Sequence, residues 1–229
     1  MMSMFTQADW RDIRLVAFDV DGTLYSQRPL RLRMARDMIL HSVTKLDLTP
    51  VRVVSTYRRM RERLGDEEVL DFDRVLIAET AKILSMSPES AQTIVFEWIE
   101  RRPLRYLRGC LFSGVSQLFA GLKRSGRKIG IYSDYPAVEK LAAMGLEADH
   151  VVSACDVGLL KPHPVGLRSL MASAGATAGD TLFIGDRADR DGVAGQRAGV
   201  RTLIKSSKPF EGLQTFETFH DTLFDPFTR

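Results

Sequence analysis

Cysteine is nearly absent. The chain has two, Cys110 and Cys155, in 229 residues. They form no C-x-x-C pair, which argues against both a disulfide framework and a zinc site and makes a reducing cytoplasm the simplest compartment. Long apolar runs are missing too. No stretch approaches the roughly 20 residues of a membrane span. The opening segment MMSMFTQADWRD holds no apolar stretch of signal-peptide length. Net charge is small, +3, with both signs mixed along the chain. That is not the concentrated basic stripe of a nucleic-acid binder, so neither a membrane nor a nucleic acid is an expected partner. There is no internal repeat and no low-complexity tract, and nothing sets an oligomeric state.

What is present is an ordinary globular composition, 45% apolar and 27% charged. The length suits one core carrying an inserted module. Four short apolar runs read as buried strands: 15–18, 128–132, 181–184 and 200–204, with 150–152 a weaker fifth. They are near-continuous rather than alternating, as expected of parallel strands covered on both faces. Helical spacing lies between them. Leu111, Val115, Leu118, Phe119 and Leu122 share one helix face, as do Val138, Leu141 and Ala142 before Gly145. Leu167, Leu170, Met171 and Ala174 repeat the pattern before Gly175, and Val193, Ala194 and Ala198 before Gly199. Strands alternating with helices predict an α/β fold with a doubly wound parallel sheet.

The stretch from about Tyr25 to Arg108 is different and shows no strand signal. Ser87-Pro88 starts a helix with Pro at its first position. Ala91, Ile94, Val95, Trp98 and Ile99 then form an apolar stripe. Weaker stripes run over 34–43, 51–64 and 69–84. The expected organisation is a catalytic core of residues 1–24 and 109–229, with a helical module of residues 25–108 inserted after the first strand.

In open parallel sheets ligands sit beyond the carboxyl ends of the strands. The residues placed there are Asp19 and Asp21 after the first run, Ser133-Asp134 after the second, and Asp186 followed by Asp191 after the run at 181–184. Lys161, in KPHP, precedes a helix in the connection leading to that run. Acids, a hydroxyl and a lysine gathered in one crevice suit phosphoryl chemistry. A hard Mg²⁺ ion bridges carboxylate and phosphate oxygens. One carboxylate can then attack phosphorus, and a second can protonate the leaving oxygen. Ser133 and Lys161 can hold the remaining phosphoryl oxygens.

The ordered set DVDGTL, a strand ending in Ser, Lys in KPHP and GDRADRD resembles the four motifs of the haloacid dehalogenase-like superfamily. The resemblance implies a Rossmann-like core with an all-helical cap inserted after the first motif. It implies Asp19 as nucleophile, Asp21 as general acid and base, and Ser133 and Lys161 as phosphoryl-binding groups. It also implies Mg²⁺ held by the Asp19 carboxylate, the Asp21 backbone carbonyl and the Asp186 carboxylate, with Asp191 in support. Asp21 favours phosphate-ester chemistry, since dehalogenase and phosphonatase members generally lack an acid there. The activity so implied is that of a Mg²⁺-dependent phosphatase acting on a small phosphorylated metabolite through an aspartyl-phosphate. A phosphomutase using the same intermediate and a non-catalytic binding protein are the rivals.

Two residues depart from the pattern. Arg190 stands where relatives often carry Asn or a small polar residue, and Asp134 where they often carry Asn. The basic run from Arg58 to Arg63 reads more readily as a solvated helix face than as an anion site. His163 reads as a loop residue, His150 as structural, and His41 and His220 have no visible partners. Trp98 reads as core of the inserted module, with Phe96 and Tyr106 as weaker pocket candidates.

Overall fold

The computed structural model describes residues 4–228. Six parallel strands form one sheet: β1 (Leu15–Phe18), β2 (Lys128–Ser133), β3 (His150–Ser153), β4 (Thr181–Gly185), β5 (Arg201–Lys205) and β6 (Gln214–Phe216). Their spatial order is β3-β2-β1-β4-β5-β6. All four β1 residues are buried. Alternation sends Val16 and Phe18 to one face, with Ile129, Ile131 and Ile184, and sends Leu15 and Ala17 to the other, with Tyr132 and Phe183. Helices α6 (Val115–Arg124) and α7 (Val138–Met144) cover the first face through Leu118, Phe119, Leu122, Leu141 and Met144. Helix α9 (Val165–Ala174) covers the second through Leu167, Leu170 and Met171. The short α8 (Ala154–Val157), α10 (Val193–Ala198) and α11 (Asp225–Thr228) complete the core.

The chain builds outward from β1 to β3 on one side, then restarts at β4 on the other, so the topological switch lies between β1 and β4. That is where an open parallel sheet leaves a crevice at its carboxyl edge. Register fixes which residues meet there: Phe18 pairs with both Ile131 and Ile184. The Asp19 N–H extends the ladder to the Ile184 carbonyl at 2.9 Å.

Between β1 and α6 the regular elements are all helical, chief among them α1 (Gln27–Lys45), α2 (Thr49–Asp66), α3 (Phe72–Ile83), α4 (Pro88–Val95) and α5 (Arg102–Leu107). A π-helical segment, Phe96–Arg101, joins the last two. Ser87 caps α4 by accepting the Ser90 N–H. The two ends of this helical stretch lie side by side. Ser26 N–H donates to the Cys110 carbonyl at 2.9 Å and Phe112 N–H to the Leu24 carbonyl at 3.0 Å.

Some expectations need correction. Leu111 precedes its helix and instead bridges Tyr25. In α7 Val138 and Ala142 are exposed, while Lys140, Leu141 and Met144 are buried. Strand β6 was not anticipated, because a three-residue strand carries too little periodicity. His41 packs edge-on against Trp98, and His220 Nε2 lies 2.8 Å from Ser113 Oγ. Phe96 is exposed, and the Tyr106 hydroxyl donates to Asp37. Both cysteines are free. Among the described residues no helix is long and apolar enough to cross a membrane.

Candidate active site

The turn after β1 carries two carboxylates held in different ways. Asp19 is buried, and its oxygens are divided between two donors. Lys161 Nζ donates to Oδ1 at 2.6 Å and Thr23 Oγ1 to Oδ2 at 2.9 Å. Lys161 also donates to Asp191 Oδ1 at 2.7 Å and to the Tyr132 carbonyl at 3.3 Å. It is itself fixed through its backbone N–H, which donates to Asp134 Oδ1 at 3.1 Å. Asp21 belongs to a second cluster. Lys140 Nζ, from α7, donates to both its oxygens at 2.7 and 2.6 Å, and the Tyr25 hydroxyl donates to Oδ1.

The third acid pair sits beyond β4. Asp191 lies on a π-helical turn, Ala188–Gly192, which folds it back over the strand end. Its Oδ2 accepts the backbone N–H groups of Asp186 and Arg187 at 3.1 and 3.0 Å. Two glycines make room for this. A Cβ at Gly185 would lie 2.4 Å from the Asp191 side chain, and one at Gly22 would lie 2.1 Å from Asp186 Oδ2. Gly22 also has φ +105°, a conformation open to glycine at little cost.

Asp19, Asp186 and Asp191 each offer an oxygen, and these lie within 4.8 Å of one another. The residues fit a hard divalent cation. Four carboxylates (Asp19, Asp21, Asp186 and Asp191) meet two hydrogen-bonding ammonium groups (Lys140 and Lys161), which leaves two negative charges uncompensated. Burial and the neighbouring Asp191 push Asp186 up to about 7. Burial likewise raises Asp19, outweighing the opposing pull of Lys161. For Asp21 the balance reverses: burial would raise it, but Lys140 and the Tyr25 hydroxyl together hold it below its ordinary value. An oxygen-ligated cation would lower the cost of ionising the first two acids. The Asp21 carbonyl already accepts Gln27 Nε2 at 2.5 Å and keeps a second lone pair.

Of the residues singled out from sequence, Asp19, Lys161, Asp186 and Asp191 converge directly. Ser133 closes β2 fully buried, and its Oγ accepts the Tyr135 N–H at 3.2 Å. That bond uses an acceptor lone pair and leaves the hydroxyl proton free to donate. His163 is a loop residue whose Nδ1 accepts the Val165 N–H.

Arg190 points away from the acids. Its Nη1 donates to the Lys161 carbonyl at 3.0 Å. Its Nη2 reaches helix α2 at the Glu62 carbonyl, Glu62 Oε2 and Asp66 Oδ1, at 3.1, 3.1 and 2.6 Å. A Cβ at Gly65 would lie 2.7 Å from Arg190 Nη1. The expected solvated face over 58–63 holds for Arg58, Arg59 and Arg63 but fails at Arg61. Arg61 is buried, donates to the Asp134 carbonyl, and places its guanidinium carbon 3.9 Å from the Tyr135 ring centroid.

Lys140, Tyr25, Thr23 and Arg61 are the functional candidates that sequence reading missed. Thr23 lies inside the quoted DVDGTL segment and was the one within reach. Lys140 sits on a helix whose apolar residues suggested another face.

A parallel sheet with its switch point between β1 and β4, and an acid cluster on that edge, makes a crevice suited to a divalent cation and a phosphoryl group. The comparisons narrow the class. The family model for haloacid dehalogenase-like hydrolases matches residues 13–199, and the chain belongs to that family. It is 29% identical over 200 residues to a phosphoglycolate phosphatase of Yersinia pseudotuberculosis, covering 83% of this chain and 79% of that protein. It is 26% identical over 199 residues to a glyceraldehyde 3-phosphate phosphatase of Methanopyrus kandleri, covering 83% of each. The fold resembles that of the Bacillus subtilis HAD-hydrolase YfnB, with a TM-score of 0.63 at 20% identity over 90% of this chain and 95% of that one.

Proposed function

We propose that the protein is a phosphatase that hydrolyses a small phosphorylated metabolite through a phosphoryl group carried on Asp19. The observation that carries this is the separation of two acids two residues apart. Asp19 is shared between Lys161 and Thr23, and Asp21 is held independently by Lys140 and Tyr25. One acid can attack while the other moves a proton.

In the first half-reaction the Asp21 carboxyl enters protonated: an Asp19 oxygen forms a bond to phosphorus, the phosphorus–ester oxygen bond breaks, and the leaving oxygen takes the Asp21 proton. In the second half a water attacks phosphorus, Asp21 accepts its proton, and the Asp19 carboxylate is restored with release of inorganic phosphate. Once it has given up that proton, Asp21 is favoured as the carboxylate by Lys140, which is the form the second half requires. Lys161 and Ser133 face the phosphoryl oxygens, Lys161 through charge and Ser133 through its free hydroxyl proton. Asp19, Asp186, Asp191 and the Asp21 carbonyl would hold Mg²⁺, which when bound neutralises phosphoryl charge. The helical insert, tied to the core through Arg190, acts as a cap that closes over the crevice and shapes the leaving-group side. That side carries two cations, Lys140 and Arg61, both stacked on Tyr135. They favour a leaving group that is itself anionic.

The test is phosphate release from a panel of phosphorylated acids, sugars and nucleotides, with Mg²⁺ and with EDTA. Turnover that requires Mg²⁺ and disappears in Asp19→Asn supports the reading. Absence of turnover across the panel, or undiminished turnover by Asp19→Asn, contradicts it.

A further inference from the structure

Both main-chain groups of Lys161 are held by side chains, and both holds lead to helix α2. The N–H donates to Asp134 Oδ1 at 3.1 Å, and the Asp134 carbonyl accepts Arg61 of α2. The Lys161 carbonyl accepts Arg190 Nη1 at 3.0 Å, and Arg190 Nη2 is anchored in turn on Glu62 and Asp66 of α2. Positions 61 and 65 form one i, i+4 row of the last turns of α2, and 62 and 66 the next. Gly65 completes the first row. A Cβ there would lie 2.7 Å from Arg190 Nη1 and 3.3 Å from the Lys161 carbonyl oxygen, so α2 packs directly on the bond between them.

A simple tie between two surfaces does not require this burial. Arg190 is 5% exposed, whereas the side chains of Glu62 and Asp66 are 55% and 72% exposed. Ion pairs to those acids could form at the rim, without taking a guanidinium out of water. The buried end of the guanidinium goes to the Lys161 carbonyl instead. A planar fork of five donors suits such a strut, because one end can grip the carbonyl while the other grips the helix.

We propose that Arg190 is a positioning residue for Lys161: through it the docking of α2 sets where the lysine ammonium stands between Asp19 and Asp191. The inference rests on the reading of Lys161 as a group that holds phosphoryl oxygens. Its Nζ meets Asp19 at 2.6 Å, Asp191 at 2.7 Å and the Tyr132 carbonyl at 3.3 Å. A main-chain displacement of about 1 Å at Lys161 would break that arrangement, and misplacements of this size cost about 100-fold in rate. Lys161 is thus set for phosphoryl transfer only while α2 is docked.

The test reads Lys161 directly. In protein labelled with ¹⁵N-lysine, the buried ammonium groups of Lys140 and Lys161 are expected to give slowly exchanging NMR signals. Lys161→Met assigns the second by its loss. Arg190→Met should shift or broaden the Lys161 signal and leave that of Lys140 in place. Gly65→Ala should do the same although it raises the helix propensity of α2, because the added methyl displaces Arg190 Nη1 from the carbonyl. Both variants should lower kcat by about 10- to 100-fold with KM little changed. In a Lys161→Met background, Arg190→Met should lower kcat by less than about threefold more, since the route through the lysine is already cut. A Lys161 signal unmoved in both variants, or losses of kcat that multiply in full across the pair, would overturn the assignment. The ammonium signal needs no turnover, so it decides the point whether or not the phosphatase reading holds.

Discussion

Asp19 and Asp21 are two residues apart, yet their surroundings push them in opposite directions. Asp19 is raised by burial and by the acids gathered beside it, Asp191 and Asp186, against the pull of Lys161. Asp21 is partly buried, and Lys140 and Tyr25 hold it below its ordinary value against the burial that would raise it. One lysine serves two acids and the other serves one. Lys161 spreads a single charge over Asp19 and Asp191, whereas Lys140 is bidentate on Asp21 alone. Divided roles for a pair of carboxylates arise in this way, from environment rather than from residue type.

The predictions remove one side of that contrast at a time. Asp19→Asn deletes the nucleophile and should lower kcat by about 10⁴-fold or more in a steady-state assay, with KM little changed. Lys161→Met strips the charge from two buried carboxylates at once. Breaking a buried pair by removing one partner costs about 3–5 kcal/mol, so the melting temperature should fall by several degrees and kcat by about 10³-fold. Lys140→Met affects only the proton-transfer acid. Its kcat should fall by about 10²-fold, and the acidic limb of the rate profile should move to higher pH, since Asp21 loses the charge that keeps it ionised. A Lys140→Met profile superimposable on the wild type would show that the pairing has no catalytic consequence.

Metal removal tests the same contrast through stability. Asp186 is raised from 3.8 to about 7 by burial and Asp191. Between those values the folded chain binds the extra proton, so its stability is greatest at low pH and declines as pH rises through 7. In EDTA the melting temperature should drop between pH 5 and pH 8, and Mg²⁺ should restore it more at pH 8 than at pH 5. Equal Mg²⁺ stabilisation at both values would place the ion elsewhere. The smallest effect is expected at Arg187→Met. Its Glu62 and Asp189 pairs are partly exposed, so the loss should be within about 1 kcal/mol by chemical denaturation.

The core half of the site was legible because a parallel sheet places its ligands by rule. Asp19, Asp186 and Ser133 stand at or just past strand ends, and the apolar runs locate those ends to within a residue. The crevice between β1 and β4 follows from the strand order, which only the coordinates supply, since alternating strands and helices imply a parallel sheet without ordering it. The helix-borne half was not legible. Lys140 lies in VEKLAAM, where Val138, Leu141 and Ala142 imitate an apolar face, while the true buried face carries the lysine itself. A buried cation on a helix carries no periodic signature, because its burial depends on a partner 119 residues away. Arg61 was hidden in the same manner inside a run of exposed arginines. Arg190 joins the π-turn to α2, and only coordinates reveal that its acceptors are the Lys161 carbonyl and Glu62 and Asp66 of α2.

The most direct measurement is acid quenching of a reaction with ³²P-labelled substrate, followed by peptide mapping. Label on the peptide containing Asp19, chemically labile as an acyl phosphate and accumulating in Asp21→Asn, is the predicted result. Label on another peptide, or full turnover with no labelled protein in either form, would contradict the account.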